Sequence, residues 1–484
     1  MISLKVKRDK WLNQFSEWYQ YIIENAGLID YRYPIKGCGV WLPYGFKIRK
    51  NVLSIIRRLL DETGHEEVLF PLMITSEMLS KESEHVKSFE NQVFWVTHAG
   101  EKELNEKLAL RPTSETAIAP MLKLWVRSHA DLPKKIYQIV SVFRYETKAT
   151  RPLIRMREIT TFKEAHTFHE SLEDAERQIN EAVEIYKKFF DSLGIPYLIS
   201  KRPEWDKFAG ASYSIAFDTI LPDGRTLQIG TIHNLNQNFS KAFEITFEKR
   251  DGTRDFVWQT CYGISERVIA SLIAVHGDDH GLVLPPKVAP IQVVIIPIPY
   301  KGYEEDVNRK CINARDQLKN ANIRVVEDFR EKLTPGSKFF EWELKGVPVR
   351  VEIGPQDVKN KTVTLVRRDT LERIIVGDNV FVENVLKIFD DIEENLRRRA
   401  LEFQLSRVYR AKSVEEIIGM LSKGIFVFEV EWCGKDECGL MLEEKTNLNV
   451  LGIPIDKSLD DKEEKRCIVC GEKAKLMIRL AKSY

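Results

Sequence analysis

At 484 residues, with 43% hydrophobic and 30% charged side chains, the chain is long enough for two to four soluble globular domains. A net charge of +1 excludes a global basic field, so any nucleic-acid contact has to come from local patches. No apolar run reaches the length of a membrane span, and the first residues lack the apolar core of a signal peptide.

The spacing of Trp11, Phe15, Trp18, Tyr19 and Ile22 predicts a helix from Asp9 to Ala26 with an aromatic face for core or dimer packing. A turn-rich stretch follows, then a second helical period from Phe46 to Asp61 with Ile48, Val52, Ile55, Ile56, Leu59 and Leu60 on one side. The segment His65 to Ile74 reads as a strand, and because Pro71 cannot donate to a ladder it belongs at an edge or a bulge; an edge needs a cover, of which another subunit is one kind. A strand ending at Leu110 runs into Arg111-Pro-Thr113-Ser-Glu115-Thr and then a helix over 117–126. Thr113 or Ser114 is placed to cap that helix. Equally, Thr113 and Glu115 can face a cavity as paired acceptors for an ammonium group.

The apolar run Lys135-Ile-Tyr-Gln-Ile-Val-Ser-Val reads as a buried strand leading to Phe143-Arg144-Tyr145-Glu146. On an extended chain Arg144 and Glu146 share a face, which sets a guanidinium fork for phosphate oxygens beside a carboxylate that can accept from an amino group. A loop carrying Arg151, Arg155 and Arg157 follows, and the returning strand places Phe162, Glu164 and His166 at alternating positions. Taken alone, Phe-Arg-x-Glu is equally a surface hairpin with ion pairs.

The next helix spans Leu172 to Leu193. Along 226–235 Gln228 and His233 cannot share a face of a regular strand, so a bulge is expected at Gly230. A strand ending at Gly263 precedes an apolar helix with Arg267 in its first turn, where a buried cation opposes the helix dipole and requires an anionic partner. His276-Gly-Asp-Asp-His280 is read as a hydrated turn that ends this helix, not as a metal cluster, and Pro285 to Pro290 as a linker.

Strands and helices then alternate: strand 291–298, helix 304–320, strand 323–326, helix 337–345, strands 347–353 and 362–366, and a long helix from Phe381. This is the pattern of an α/β layer domain. Arg397 to Arg399, Arg407, Arg410 and Lys412 form a basic tract that either touches RNA phosphates or is a solvated face. Cys433, Cys438, Cys467 and Cys470 make two close pairs, the spacing of a tetrahedral four-thiolate zinc site with no open position.

These motifs together resemble the class II aminoacyl-tRNA synthetases. The segment with Pro71, Phe143-Arg144-Tyr145-Glu146 and Gly263-Ile-Ser-Glu-Arg267 look like the three signatures of that class. Arg111-Pro-Thr113-Ser-Glu115, Glu164-Ala-His166, Lys207-Phe208-Ala-Gly and His276-Gly-Asp-Asp resemble, more narrowly, the prolyl-tRNA synthetases of archaeal and eukaryotic type, over essentially the whole chain.

The resemblance implies an α+β protein in three parts: an antiparallel-sheet catalytic domain over 1–286, an anticodon-binding domain over 287–400 and a small zinc-binding domain over 401–484. It implies a cytoplasmic homodimer that uses ATP with magnesium to attach proline to its tRNA through an adenylate. Arg144 and Arg267 would be catalytic at the phosphates. Thr113 and Glu115 would hold the proline ammonium, and Phe162, Glu164, His166 and Phe208 would wall its ring, with Cys261 and Gly263 lining the same pocket. Glu146 would meet adenine; Arg155, Gln228 and Thr231 would bind the rest of ATP, and His233 would stand at the junction. Glu343 and Arg350 would read the anticodon, and Tyr484 would fold back to the active site.

Two departures from the family pattern stand out. Phe162 occupies a position where many members have tryptophan, and the segment from Glu158 to Glu164 is one residue longer. The span from Arg144 to Arg267 leaves no room for the insertion-type editing domain of bacterial-type members, and a small pocket discriminates weakly by size, so some activation of cysteine is expected. Two other readings use the same residues. A tRNA-binding relative without catalysis would have no need of Arg144, Glu146 and Arg267 together. An enzyme for threonine would need a metal set in the catalytic part, and none is apparent in the sequence.

Overall fold

A computed structural model describes residues 7–81, 90–457 and 465–484. Among these residues the largest sheet has eleven strands, and its central six carry the cavity described below. In spatial order they are Leu198–Lys201, Tyr213–Ile220, Thr226–Asn236, Trp258–Ile264, Glu158–His169 and Lys134–Phe143, all paired antiparallel. Helices Leu172–Ser192 and Arg267–His276 cover one face. Tyr186, Phe189 and Phe190 interlock there with Phe217, Ile232 and Tyr262 in the main core.

Two of the irregularities in this sheet matter most to the cavity. Opposite Phe217 and Asp218 the register jumps from Gly230 to Gln228, a bulge at the predicted glycine. A Cβ on Gly230 would stand 3.1 Å from the Tyr186 ring, closer than helix and sheet can accommodate without shifting. Opposite Ser141 the strand Glu158–His169 accommodates two residues, because Val140 pairs with Phe162 and Val142 with Ile159. This second bulge lies within the segment read as one residue longer than the family pattern. The Glu266 carboxylate accepts from the Thr160 and Thr161 amides, and Arg49 donates to Thr161 Oγ1 at 2.7 Å and Thr160 O at 2.7 Å. Phe162 and Glu164 thereby remain on the cavity face.

Several expected elements form with different limits. The first helix is broken at Gln14 into Asp9–Asn13 and Phe15–Asn25, although Trp11, Phe15, Trp18, Tyr19 and Ile22 are all core residues. The segment around Pro71 is two short strands in different sheets. Glu66–Glu67 lies at the edge of the large sheet, parallel to Lys134–Phe143, while Met73–Thr75 pairs with Lys102–Leu110. Proline interrupts the ladder instead of sitting within an edge strand.

The expected linker at Pro285–Pro290 is packed: Val288 and Ala289 are completely buried in the main core. Nor is 276–280 a hydrated turn. His276 and Asp278 are fully buried, and Asp278 takes two bonds of 2.7 Å from Arg368. Burial makes a counter-charge necessary, and the pair ties the first half of the chain to the second.

Beyond this joint lies a five-stranded sheet in the order Val325–Glu327, Val293–Pro297, Val349–Ile353, Thr362–Arg367 and Arg373–Gly377. Helices Glu304–Asn320, Pro335–Leu344 and Phe381–Leu405 belong to the same region. The alternation read from the sequence is present; the strand Arg373–Gly377 and the helix Pro355–Asn360 went unread. The last segment extends the large sheet: Asn449–Pro454 pairs with Leu198–Lys201, and Leu476–Ala481, Val427–Trp432 and Val408–Arg410 continue outward. No helix among the described residues is long and apolar enough to cross a membrane.

Candidate active site

A cavity of about 700 Å³ opens over the bulged face of the central strands. One end is lined by Thr113, Glu115, Phe162, Glu164, Cys261 and Gly263, with Phe208 and His233 at its side. The other end is lined by Arg144, Glu146, Arg155, Gln228, Thr231 and Arg267. A single hollow thus holds nearly all the residues expected for the amino acid and the nucleotide.

The small end is built of buried polar groups that fix one another. Thr113 Oγ1 donates to Glu115, and Cys261 Sγ lies 3.2 Å from the other Glu115 oxygen. Glu164 accepts from Ser114 Oγ and, at 2.9 Å, from Gln138 Nε2. This corrects the expected cap: the Ser114 hydroxyl is committed to Glu164 and that of Thr113 to Glu115, so neither caps the helix Glu115–Trp125. Burial and the adjacent carboxylates push the Cys261 thiol well up, so it is a neutral wall. Phe208 stacks on His233 with ring centroids 4.5 Å apart, and Ser214 Oγ, 2.8 Å from Nδ1, fixes the imidazole. His166 departs from expectation. It is buried behind the wall, its Nε2 3.4 Å from Glu164 and 4.0 Å from Cys261 Sγ, and it does not line the hollow.

The large end is cationic. Arg144 Nε donates to Pro112 O at 3.0 Å and Arg267 Nε to Ile154 O at 3.0 Å. Both guanidinium groups are aimed by backbone carbonyls, and the carboxylates of Glu115, Glu164 and Glu146 also act on the Arg144 charge. The bond to Pro112 also seats Arg144 directly beside Thr113. Arg155 Nε stands 3.8 Å from Glu146. Burial, reinforced by Arg144 and Arg155, lowers Arg267 to about 10. Three guanidinium groups crowded into a partly buried hollow attract an anion such as a polyphosphate.

Two features of this site had no local sequence signal. Arg202 and Asp218 pair at 3.0 Å in its wall. Glu443 and the stretch Asn449 to Leu451 also line it, brought in from the last segment. Tyr484 does fold back as expected: its hydroxyl donates to Asp223 at 2.6 Å, accepts from Arg151 at 3.1 Å, and its ring lines the cavity.

The comparisons with known proteins agree with this geometry. Residues 94–276 match the model of the tRNA synthetase class II core domain (G, H, P, S and T). Residues 292–391 match an anticodon binding domain and 414–484 the prolyl-tRNA synthetase C-terminal domain. A proline--tRNA ligase of Sulfurisphaera tokodaii is 56% identical over 99% of this chain and 100% of its own length.

This chain belongs to the proline--tRNA ligase family.

Another member, from Ignicoccus hospitalis, is 56% identical over 97% of this chain and 98% of its own. The solved structure of Giardia lamblia prolyl-tRNA synthetase in complex with prolyl-adenylate superposes with a TM-score of 0.94 at 36% identity, covering 100% of both chains. The expected class II architecture, with its anticodon-binding part, is therefore present in full.

Outside the cavity the expected sites divide. The four thiols of Cys433, Cys438, Cys467 and Cys470 lie within 4.8 Å of one another. Backbone amides of Val469 and Cys470 lower the Cys467 thiol against the opposing effect of burial. The donor set and spacing fit a tetrahedral zinc ion. Glu343 and Arg350 pair with each other at 2.7 Å; Arg350 also donates to Glu352 at 3.0 Å and lies over Phe339. The basic tract is largely engaged within the protein. Arg397 bonds Glu394, Arg398 bonds Glu402, Arg410 bonds Glu431, and the Arg399 guanidinium donates to His276 O.

Proposed function

We propose that this enzyme joins proline to its tRNA in two steps within the described cavity, with Arg144 and Arg267 as the catalytic groups. The proline ammonium binds Thr113 and Glu115 beside Phe162, Glu164 and Phe208, its carboxylate directed past His233 towards the cationic end. Glu146 accepts from adenine, while Arg155, Gln228 and Thr231 hold the remainder of ATP. Magnesium accompanies ATP and supplies further charge neutralisation at the phosphates. A proline carboxylate oxygen attacks the α phosphorus, the bond to the bridging oxygen breaks, and pyrophosphate leaves with that electron pair. No proton has to move in this step, so alignment and charge stabilisation carry the catalysis. The tRNA terminal hydroxyl then attacks the prolyl carbonyl, the acyl–phosphate C–O bond breaks, and AMP departs with that electron pair while its phosphate or solvent takes up the hydroxyl proton.

The observation that supports this reading is the bond from Arg144 to Pro112, which holds the guanidinium proposed for the phosphates beside Thr113, proposed for the ammonium, in one hollow. Proline-dependent exchange of labelled pyrophosphate into ATP tests it. Exchange with proline, and weaker exchange with cysteine at high concentration, is expected; absence of exchange with proline refutes it.

The division of labour follows the three parts 1–286, 287–400 and 401–484. Glu343 and Arg350 read the anticodon, opening their mutual ion pair onto guanine edges, since an acid accepts from the guanine amino group and an arginine bonds its acceptor edge. Cys433, Cys438, Cys467 and Cys470 hold a structural zinc whose four thiolates leave no open position. The enzyme acts as a cytoplasmic homodimer joined near Pro71, where Leu69 is 81% exposed and Leu72 and Met73 are also uncovered.

A further inference from the structure

Glu115, His166 and Cys261 come from three different elements and meet at the floor of the small end. Cys261 and His166 are directly opposed on the antiparallel strands Trp258–Ile264 and Glu158–His169. Glu115 begins the helix Glu115–Trp125. All three are buried, and their ligand atoms lie within 4.8 Å of one another. Cys261 Sγ is 3.2 Å from Glu115 Oε1 and 4.0 Å from His166 Nε2. A tetrahedral zinc with bonds of about 2.0–2.3 Å sets its ligands roughly 3.3–3.8 Å apart, so both Cys261 separations lie close to that range and the Glu115–His166 separation is within 4.8 Å.

We propose that Glu115, His166 and Cys261 form a second, reversible metal site for zinc or a similar borderline-soft divalent cation, and that its occupancy excludes proline. A thiolate, an imidazole and a carboxylate make a donor set suited to zinc or cobalt and unsuited to magnesium. Glu115 and Cys261 line the cavity, so the fourth position faces the hollow and takes water. Thr113 braces one ligand by donating to the second Glu115 oxygen, while the contact of His166 Nε2 with Glu164 at 3.4 Å is one that the metal would replace. On binding, Cys261 loses its thiol proton to solvent. Glu115 cannot hold an ammonium and a divalent cation together, so the metal is a competitive inhibitor; this exclusion rests on the pocket assignment above, whereas the metal site rests on geometry alone.

The test uses the full-length enzyme carrying one zinc per chain in its four-cysteine site. Titration with cobalt(II) should load a second ion per chain with a thiolate charge-transfer band. That band should be absent in Cys261→Ser, at least tenfold harder to form in His166→Gln, and displaced by proline. In pyrophosphate exchange, added zinc should raise KM for proline and leave kcat unchanged. No second cobalt, or an equal band in Cys261→Ser, would overturn the metal site. A second cobalt indifferent to proline would overturn the exclusion and count against the pocket assignment, not the site. If Cys261→Ser does not fold, the competition between cobalt and proline in the unaltered enzyme still decides.

Discussion

The cationic end of the cavity and the Glu343–Arg350 cluster contain the same side chains and differ in what those side chains bond. In the cavity, Arg144 and Arg267 are anchored through Nε to backbone carbonyls. In the cluster, Arg350 bonds two carboxylates at 2.7 and 3.0 Å. A carbonyl positions a guanidinium without adding a counter-charge, most clearly at Arg267, whose charge Arg144 and Arg155 oppose; a bonded carboxylate cancels it. The first arrangement sacrifices stability for an anion site, and the second consolidates the fold.

This contrast can be broken by substitution. Arg144→Ala or Arg267→Ala should lower pyrophosphate exchange by about 10²–10³-fold or more, the scale of removing one transition-state charge contact. The melting temperature should hold or rise, because burial and neighbouring cations already disfavour the Arg267 charge. A loss of exchange accompanied by unfolding would erase the distinction. Arg350→Ala should behave in the opposite way. It leaves Glu343 to His280 and Glu352 to Arg373, and should cost about 1–3 kcal/mol in denaturant unfolding. KM for tRNA should rise with exchange unchanged.

Smaller effects sharpen the same comparison. Tyr484→Phe removes the bonds to Asp223 and Arg151 and should raise KM for ATP severalfold, since the ring lines the cavity while the hydroxyl ties it to two strand ends. The smallest effect is in acid. Burial opposes ionisation of Glu343, but hydrogen bonds from His280 and Arg350 prevail and hold it at about 2. A depressed carboxyl contributes stability above its unfolded value near 4.5, and that contribution fades as pH falls towards 2. Glu343→Gln should flatten the loss of stability between pH 5 and pH 2, measured by urea unfolding. An unchanged slope would mean the pair contributes nothing.

The sequence was most legible where a short period placed the chemistry. Alternation put Phe162 and Glu164 on one face, and the mismatch between Gln228 and His233 called for the bulge that appears beside Gly230. Alternation also carried His166 too far, because the wall thickens there and buries it behind Cys261. The Ser114 hydroxyl was read as a cap because its competitor, Glu164, lies fifty positions away. Arg202 with Asp218 and Ser214 beneath His233 were invisible for the same reason: each is an ordinary polar residue until the sheet assembles its neighbours. The metal-compatible set of Glu115, His166 and Cys261 went unseen because no two of its members are close in sequence.

The central claim is that the ammonium site and the phosphate site are one continuous hollow. Calorimetric titration with a non-hydrolysable sulfamoyl analogue of prolyl-adenylate tests it most directly. One tight site per chain is expected, weakened at least tenfold by Glu115→Gln at one end and by Arg144→Ala at the other. Binding that is indifferent to either substitution would contradict it.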